Sequence, residues 1–96
     1  MAVYMIVEAK EIKDKEKYSE YIRKVPQTIE KFAAKYLARG GRVTVASGNW
    51  KPERLIIVEF ASMEKFQAWF NSPEYRLISP LREESATTNA VVIEGV

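Results

Sequence analysis

Three glutamates stand near the ends of otherwise apolar, strand-like stretches, where a carboxylate can act as an acid or a base. They are Glu8, Glu59 and Glu94. A carboxylate on a sheet face is desolvated, which raises its pKa toward the range useful for proton transfer. Glu59 is the strongest catalytic candidate because Leu55, Ile57 and Glu59 share one face of a predicted strand, the face away from the helices. The alternative is that each glutamate is solvated or paired with an arginine at a strand end.

A second group of residues suits the binding of an anion. Arg39 precedes two glycines, whose missing side chains would let a carboxylate or phosphate approach closely. Arg54 and Arg82 offer the same chemistry, while Trp50 could form a pocket wall and Tyr75 could supply a hydroxyl to a cleft. The alternatives are structural ion pairs for the arginines and ordinary packing for the two aromatic rings. The expected ligand is a small organic anion.

The sequence contains neither histidine nor cysteine, and this restricts its chemistry. Disulfides and thiolate catalysis are excluded, and the commonest metal ligand and general base is missing. Haem would need a tyrosine ligand, and no spacing of carboxylates or tyrosines predicts a metal site. We therefore expect no cofactor and no metal.

Charge and hydropathy also exclude some partners. Fifteen basic and thirteen acidic residues are interleaved and give a net charge of +2, which does not favour a polyanionic partner. Leucine and isoleucine stand where the sheet of an RNA-recognition motif needs stacking aromatics. The apolar runs are too short to cross a bilayer, and Met1–Val7 lacks the basic start of a signal peptide. We expect a cytoplasmic protein that binds neither nucleic acid nor membrane.

The elements that must position these residues follow from the hydrophobic periodicity. Apolar stretches rich in β-branched and aromatic residues predict strands over 3–9, 36–46, 54–61 and 89–96. Apolar residues at helical spacing predict a helix from Asp14 to about Ala34, bent at Pro26. A second helix follows Ser62 and restarts at Ser72. The order β-α-β-β-α-β predicts an α+β, ferredoxin-like domain with a four-stranded antiparallel sheet, occupying residues 1–96.

The predicted sheet is apolar on both faces, although only one face receives the helices. Right-handed crossovers place both helices on the same side, yet the strands do not alternate with polar residues as a solvated face requires. The bare face could bury on the order of 400–600 Å² per subunit, enough to drive association. A chain this short also needs such help to be stable. We expect a homodimer whose sheets face each other.

Several motifs together resemble one family. They are Tyr36-Leu37-Ala38-Arg39-Gly40-Gly41, Gly48-x-Trp50-x-Pro52-x-Arg54, Val58-Glu59-Phe60, Trp69-x-x-Ser72-Pro73-Glu74-Tyr75, Arg82 and Glu94-Gly95. The whole chain resembles the bacterial domain-of-unknown-function 1330 family of the dimeric α/β-barrel superfamily. It departs at Ala34-Lys35, where the family often has glycine. The resemblance implies the same fold and dimer, and it implies no assigned activity.

The resemblance therefore leaves function to be argued from the site, because one fold hosts many functions. The superfamily includes muconolactone isomerases, antibiotic-biosynthesis monooxygenases and haem-degrading enzymes. Two classes stay open for this chain. The first is a cofactor-free enzyme or small-molecule binder with a pocket between helices and sheet, where Arg39 anchors an anion and Glu59 is the acid or base. The second is a non-catalytic dimeric module, either a ligand sensor or a structural partner.

Overall fold

The computed structural model describes residues 1–96 and contains four strands and three helices. Their bounds are β1 Val3–Ile12, α1 Lys15–Lys31, β2 Lys35–Arg39, β3 Leu55–Phe60, α2 Met63–Phe70, α3 Pro73–Ser85 and β4 Ala86–Glu94. The strands form one antiparallel sheet in the order β2-β3-β1-β4. This is the α+β, ferredoxin-like arrangement that the sequence predicts.

Each helix begins at a side chain that caps it. The Asp14 carboxylate accepts a hydrogen bond from the Lys17 amide at 3.1 Å, and the Ser62 and Ser72 hydroxyls serve α2 and α3 in the same way. Such caps satisfy amide groups that a helix start leaves unpaired. α1 continues through Pro26 and ends slightly earlier than predicted, because Ala33 adopts a left-handed φ of 58°.

The predicted second strand is wrong beyond Arg39. Gly40 has a φ of 77°, which turns the chain away from β3. The following β2–β3 loop, residues 40–54, contains no strand or helix. No main-chain hydrogen bond joins residues 40–53 to another backbone group. β1 extends three residues beyond its predicted end, and β4 begins three residues earlier and ends two residues earlier than predicted, since the two strands pair from Val3–Glu94 to Ile12–Ala86.

The two faces of the sheet have different surroundings. The inner face, which carries the helices, includes Val3, Met5, Val58 and Phe60, each at most 7% exposed. The register places three rows of residues on the opposite, outer face. These outer-face residues are Ile93, Tyr4 and Glu59 in one row, Val91, Ile6 and Ile57 in the next, and Asn89, Glu8 and Leu55 in the third. No element of the chain covers this largely apolar surface.

The helix layer is held by apolar packing between α1 and α3 and by ion pairs at both ends of their contact. Lys17 on α1 pairs with Glu84 on α3 at 2.9 Å, and Lys31 pairs with Glu74 at the opposite end. The two helices are therefore antiparallel. Trp69 and Phe60, both at most 1% exposed, fill the core between this layer and the sheet.

Candidate functional site

A cavity of about 140 Å³ lies between the helix layer and the inner face of the sheet. Most of its lining residues are apolar, and the two charged ones are both arginines. The lining consists of Met5, Val7, Tyr18, Tyr21, Ile22, Val25, Ile29, Tyr36, Arg39, Ile56, Val58, Trp69, Phe70, Tyr75, Arg82, Thr88 and Ala90. A largely apolar pocket with a few convergent polar groups is the usual form of a small-molecule site.

Helix α3 contributes two of the polar groups. Tyr75 lies in its first turn, where its backbone amide donates to the Ser72 hydroxyl at 3.1 Å and the ring packs on Trp69 at 4.1 Å between centroids. The Ser72 hydroxyl in turn donates to the Trp69 carbonyl at 2.7 Å. Arg82 lies seven residues after Tyr75, which is two helical turns, so both side chains point from the same face of α3 into the cavity.

Helix α1 contributes two tyrosines from its buried stripe. Tyr18 and Tyr21 are one turn apart and at most 9% exposed. The Tyr21 hydroxyl lies 3.0 Å from the Tyr75 hydroxyl, so that α1 and α3 are joined by a buried hydrogen bond. Burial raises the pKa of Tyr21 well above its ordinary value, and the neighbouring Tyr75 adds to the effect. Burial also raises the pKa of Tyr18, although Arg54 and Arg82 oppose the rise. These phenols are neutral hydrogen-bonding groups at physiological pH.

The Arg82 guanidinium is the more enclosed of the two cationic groups. Its side chain is 21% exposed, its Nη1 donates to the Thr88 hydroxyl at 2.7 Å, and its Nε is buried without an acceptor. Glu83 lies 3.8 Å from Nη2, but that carboxylate is 58% exposed. Burial acts to lower the pKa of Arg82, yet the nearby Tyr75 and Tyr21 hydroxyls outweigh it and the pKa is raised. Arg82 therefore stays positively charged.

Strand β2 places Arg39 at the edge of the same cavity. The Arg39 side chain is exposed, and its guanidinium carbon lies 4.4 Å from the centroid of the Tyr36 ring. This is cation–π geometry, which holds the guanidinium over the ring without neutralising its charge. Burial raises the pKa of Tyr36, and the hydrogen bond and charge of Arg39 oppose that rise. Arg39, Arg82 and Tyr75, three of the residues that the sequence singled out, thus line one cavity.

Glu59, the predicted catalytic residue, does not line this cavity. It lies on the outer face of the sheet, where its carboxylate is 3.5 Å from the Lys35 ammonium group. Alternation along β3 causes this separation, because Ile56 and Val58 face the cavity while Leu55, Ile57 and Glu59 face away. A pocket that combines an Arg39 anchor with a Glu59 acid or base within one subunit is therefore wrong. Any catalytic part for Glu59 on the outer face stays a prediction.

Trp50 and Arg54 also lie apart from the cavity. Trp50 belongs to the β2–β3 loop, is 60% exposed, and donates its indole N–H to the Glu8 carboxylate on the outer face at 3.3 Å. It borders a shallow groove formed with Val43, Val45 and Leu55. Arg54 is exposed, and its backbone carbonyl accepts a hydrogen bond from the Ala9 amide. The binding roles predicted for these two residues stay untested.

Sequence reasoning missed the tyrosines and the threonine that complete the polar part of the cavity. Tyr18 and Tyr21 occupy the apolar stripe of α1, where their rings serve the core as well as the site. Tyr36 and Thr88 lie on strands of opposite sheet edges. The sequence signal that could have found the α1 tyrosines is their position within the apolar face of the helix, because a buried tyrosine hydroxyl usually has a hydrogen-bond partner. The partner of Tyr21 lies 54 residues away, beyond the reach of pattern reasoning.

The electrostatics of the cavity favour an anion. Two guanidinium groups and several neutral hydroxyls meet there, and no carboxylate lines the wall. Arginine recognises carboxylates and phosphates through paired N–H donors. The described residues contain no group of three or more acidic side chains that could hold a metal ion. None of the helices is long and apolar enough to cross a membrane.

The fold and its neighbours define the class of protein. Solved structures of similar shape include a protein of unknown function from Rhodopseudomonas palustris, with 16% identity and a TM-score of 0.78 over 99% of this chain and 82% of that one. A dimeric ferredoxin-like protein of unknown function from Jannaschia sp. has 10% identity and a TM-score of 0.79 over 99% and 100% of the chains. A dimeric ferredoxin-like protein of unknown function from Thermobifida fusca has 14% identity and a TM-score of 0.58 over 97% and 90%. At such low identities the likeness shows a shared ferredoxin-like fold.

A sequence-family model identifies the chain more closely. The model of the domain of unknown function DUF1330 matches residues 2–96. The chain therefore belongs to that family, as its motifs indicate. No functionally curated protein matches it.

Proposed function

We propose that the protein is a homodimer in which each subunit binds a small organic anion in the cavity between helices and sheet. The observation that carries the proposal is the composition of that cavity, which combines an apolar wall with Arg39 and Arg82 and no carboxylate. An uncompensated cation in a partly dehydrated site attracts an anion more strongly than the same cation in water. The ligand then neutralises charge that no carboxylate of the cavity wall balances.

Binding without chemistry accounts for the site better than catalysis does. A general acid or base must reach the reacting atom, and its pKa must lie near the working pH. Glu59 is on the other face of the sheet, and the pKa values of Tyr18, Tyr21 and Tyr36 are raised above their ordinary alkaline range. We therefore favour a ligand-binding or ligand-sensing module over a cofactor-free enzyme. A cytoplasmic location stays a prediction from the sequence, to be checked by cell fractionation.

The homodimer is supported by the outer face. Val91 and Ile93 are 61% and 57% exposed in the single subunit, and Tyr4, Ile6 and Ile57 extend the same apolar surface. Exposed apolar patches of this kind mark interaction sites. The β2–β3 loop adjoins this surface through the Trp50–Glu8 hydrogen bond, and its residues 40–53 make no main-chain hydrogen bond. Structural neighbours that are dimeric agree with a second copy as the partner.

Thermal unfolding with a panel of small organic acids tests the binding proposal. A ligand present at about 100 times its Kd stabilises the native state by about 2.7 kcal/mol, which raises the Tm by about 10 °C or more in a domain of this size. Neutral isosteres of the same acids are the ligand control. If no acid raises the Tm at millimolar concentration, the proposed function is refuted.

Two substitutions of alanine by leucine test whether the ligand-induced rise in Tm comes from binding in the cavity. Both alanines are exposed, but Ala90→Leu adds three carbons at the rim of the cavity, whereas Ala68→Leu adds the same atoms on α2 at a position that does not line it. We expect Ala90→Leu to abolish the ligand-induced shift and Ala68→Leu to keep it. An undiminished shift in Ala90→Leu would place the ligand elsewhere.

A further inference from the structure

The cavity contains a buried hydrogen-bond donor with no acceptor. The Nε–H of Arg82 has no partner, while Nη1 of the same guanidinium is used by Thr88. Leaving a charged donor buried and unpaired costs more than the net gain of an ordinary hydrogen bond. Nearly all buried polar groups in native proteins have a partner. The unpaired Nε therefore calls for an acceptor that the chain does not provide.

A second spare donor follows from the tyrosine pair. Tyr21 and Tyr75 have one O–H group each, and their hydroxyl oxygens are 3.0 Å apart. The hydrogen bond between them uses one of the two protons, so that the other proton remains free to donate. Tyr75 and Arg82 lie two turns apart on one face of α3, and both side chains line the same cavity. Hence both spare donors belong to one cluster, formed by Tyr21, Tyr75 and Arg82.

A carboxylate provides the two acceptor oxygens that the two spare donors of this cluster need. Its two oxygens accept hydrogen bonds only, one from a guanidinium N–H and one from a hydroxyl. Glu83 does not serve, because it is mostly exposed and lies on the Nη2 side of the guanidinium. Phosphate has the same acceptor chemistry, but the largely apolar wall next to the cluster favours a ligand with a single charged end.

The volume of the cavity limits the size of the apolar part of the ligand. An engineered apolar cavity of about 150 Å³ binds benzene, and this cavity measures about 140 Å³. One six-membered ring therefore fits, and the indole of Trp69 and the ring of Tyr75 line the space that it would occupy.

We propose that the ligand is a monocarboxylate with one six-membered ring, and that its carboxylate is bound by Arg82 and the Tyr21–Tyr75 pair. The inference rests on the proposed function, because it requires that the cavity binds an organic anion. It goes further in naming the ligand class and in assigning the anchor to Arg82, with exposed Arg39 held over Tyr36 at the edge.

Isothermal titration of the wild-type protein with benzoate, cyclohexanecarboxylate and benzamide is the first test. Both acids should bind, and benzamide should bind at least about tenfold more weakly because it is uncharged and places an N–H group where the cluster needs an acceptor. This comparison uses no variant, so it does not depend on whether a variant folds. Equal affinity for benzoate and benzamide would overturn the carboxylate assignment.

Matched arginine variants then locate the anchor. We expect Arg82→Gln to weaken benzoate binding by about 10- to 100-fold and Arg39→Gln by less than about fivefold. Tyr75→Phe removes one hydroxyl and should weaken benzoate binding by about fivefold. Far-UV circular dichroism confirms that each variant is folded.

The possible failures are distinguishable. If benzoate binding is lost in Arg39→Gln and kept in Arg82→Gln, the anchor assignment is wrong while the proposed function stands. If only larger or multiply charged acids bind, the ligand class is wrong and the anion proposal stands. If no acid binds to the wild-type protein, the proposed function and this inference fall together.

Discussion

A single charge on the outer face should dissociate the proposed homodimer. Val91 lies in the central row of that face beside Ile6 and is 61% exposed in the isolated subunit. Full burial of a valine or isoleucine side chain contributes about 1.5–3 kcal/mol, so covering this exposed fraction contributes about 1–2 kcal/mol. A two-fold interface contains the residue twice. Val91→Lys therefore removes about 2–4 kcal/mol of the free energy of dimerisation, which raises the dimer Kd by about 30-fold to several hundredfold. Desolvation of the two ammonium groups raises the Kd further.

Leu77→Lys is the matched control for this experiment. Leu77 is 81% exposed, but it lies on α3 and not on the outer face. Sedimentation velocity over a range of protein concentrations measures the dimer Kd of both variants. We expect Val91→Lys to be a folded monomer at concentrations where the wild-type protein and Leu77→Lys are dimers. A Val91→Lys protein that dimerises as tightly as the wild type would refute the outer face as the interface.

Three further predictions concern the cavity and the residues that position it. Monomeric Val91→Lys should bind benzoate with nearly wild-type affinity by calorimetry, because the cavity lies on the inner face of the sheet and Val91 lies on the outer face; loss of binding would show that the partner completes the site. Ser72→Ala removes the α3 cap and should lower stability by about 1 kcal/mol, or about 4–8 °C in Tm, and should weaken benzoate binding through Tyr75. Ser62→Ala, which removes the α2 cap, should lower the Tm similarly and leave the affinity unchanged. Burial raises the pKa of Tyr21 in the folded protein, so the neutral, buried phenol stabilises the fold at pH values below the unfolded pKa of about 10. As the pH rises above that value, this stabilisation is lost at up to about 1.4 kcal/mol per pH unit. Urea unfolding from about pH 9 to pH 11.5 should therefore show a loss of stability that is less steep in Tyr21→Phe, and equal slopes would contradict the burial of this phenol.

The elements of the fold were predictable where local signals agreed with tertiary packing. The caps at Asp14, Ser62 and Ser72 each precede an apolar helical face, and all three occur in the structure. The strand signal beyond Arg39 misled, because alternation at Val43 and Val45 shows only that the segment can form a strand. A strand also needs an edge to pair with, and Gly40 directs this segment away from β3.

The sequence predicted the charged residues of the candidate site but not the helix packing that brings the other site residues together. Arg39 and Arg82 were predicted as anion-binding residues, with a structural ion pair as the alternative, and both line the cavity. The prediction that Glu59 lies on the face away from the helices is correct, and this position keeps Glu59 out of the cavity. The Tyr21–Tyr75 hydrogen bond depends on how α1 packs against α3, which no spacing within either helix specifies.

A crystal structure of the protein grown with benzoate would show whether the cavity binds a carboxylate through Arg82. We expect one benzoate in the cavity of each subunit, with a carboxylate oxygen within hydrogen-bonding distance of Arg82 Nε and the ring against Trp69. An empty cavity at saturating benzoate, or benzoate bound only outside the space between helices and sheet, would contradict this expectation.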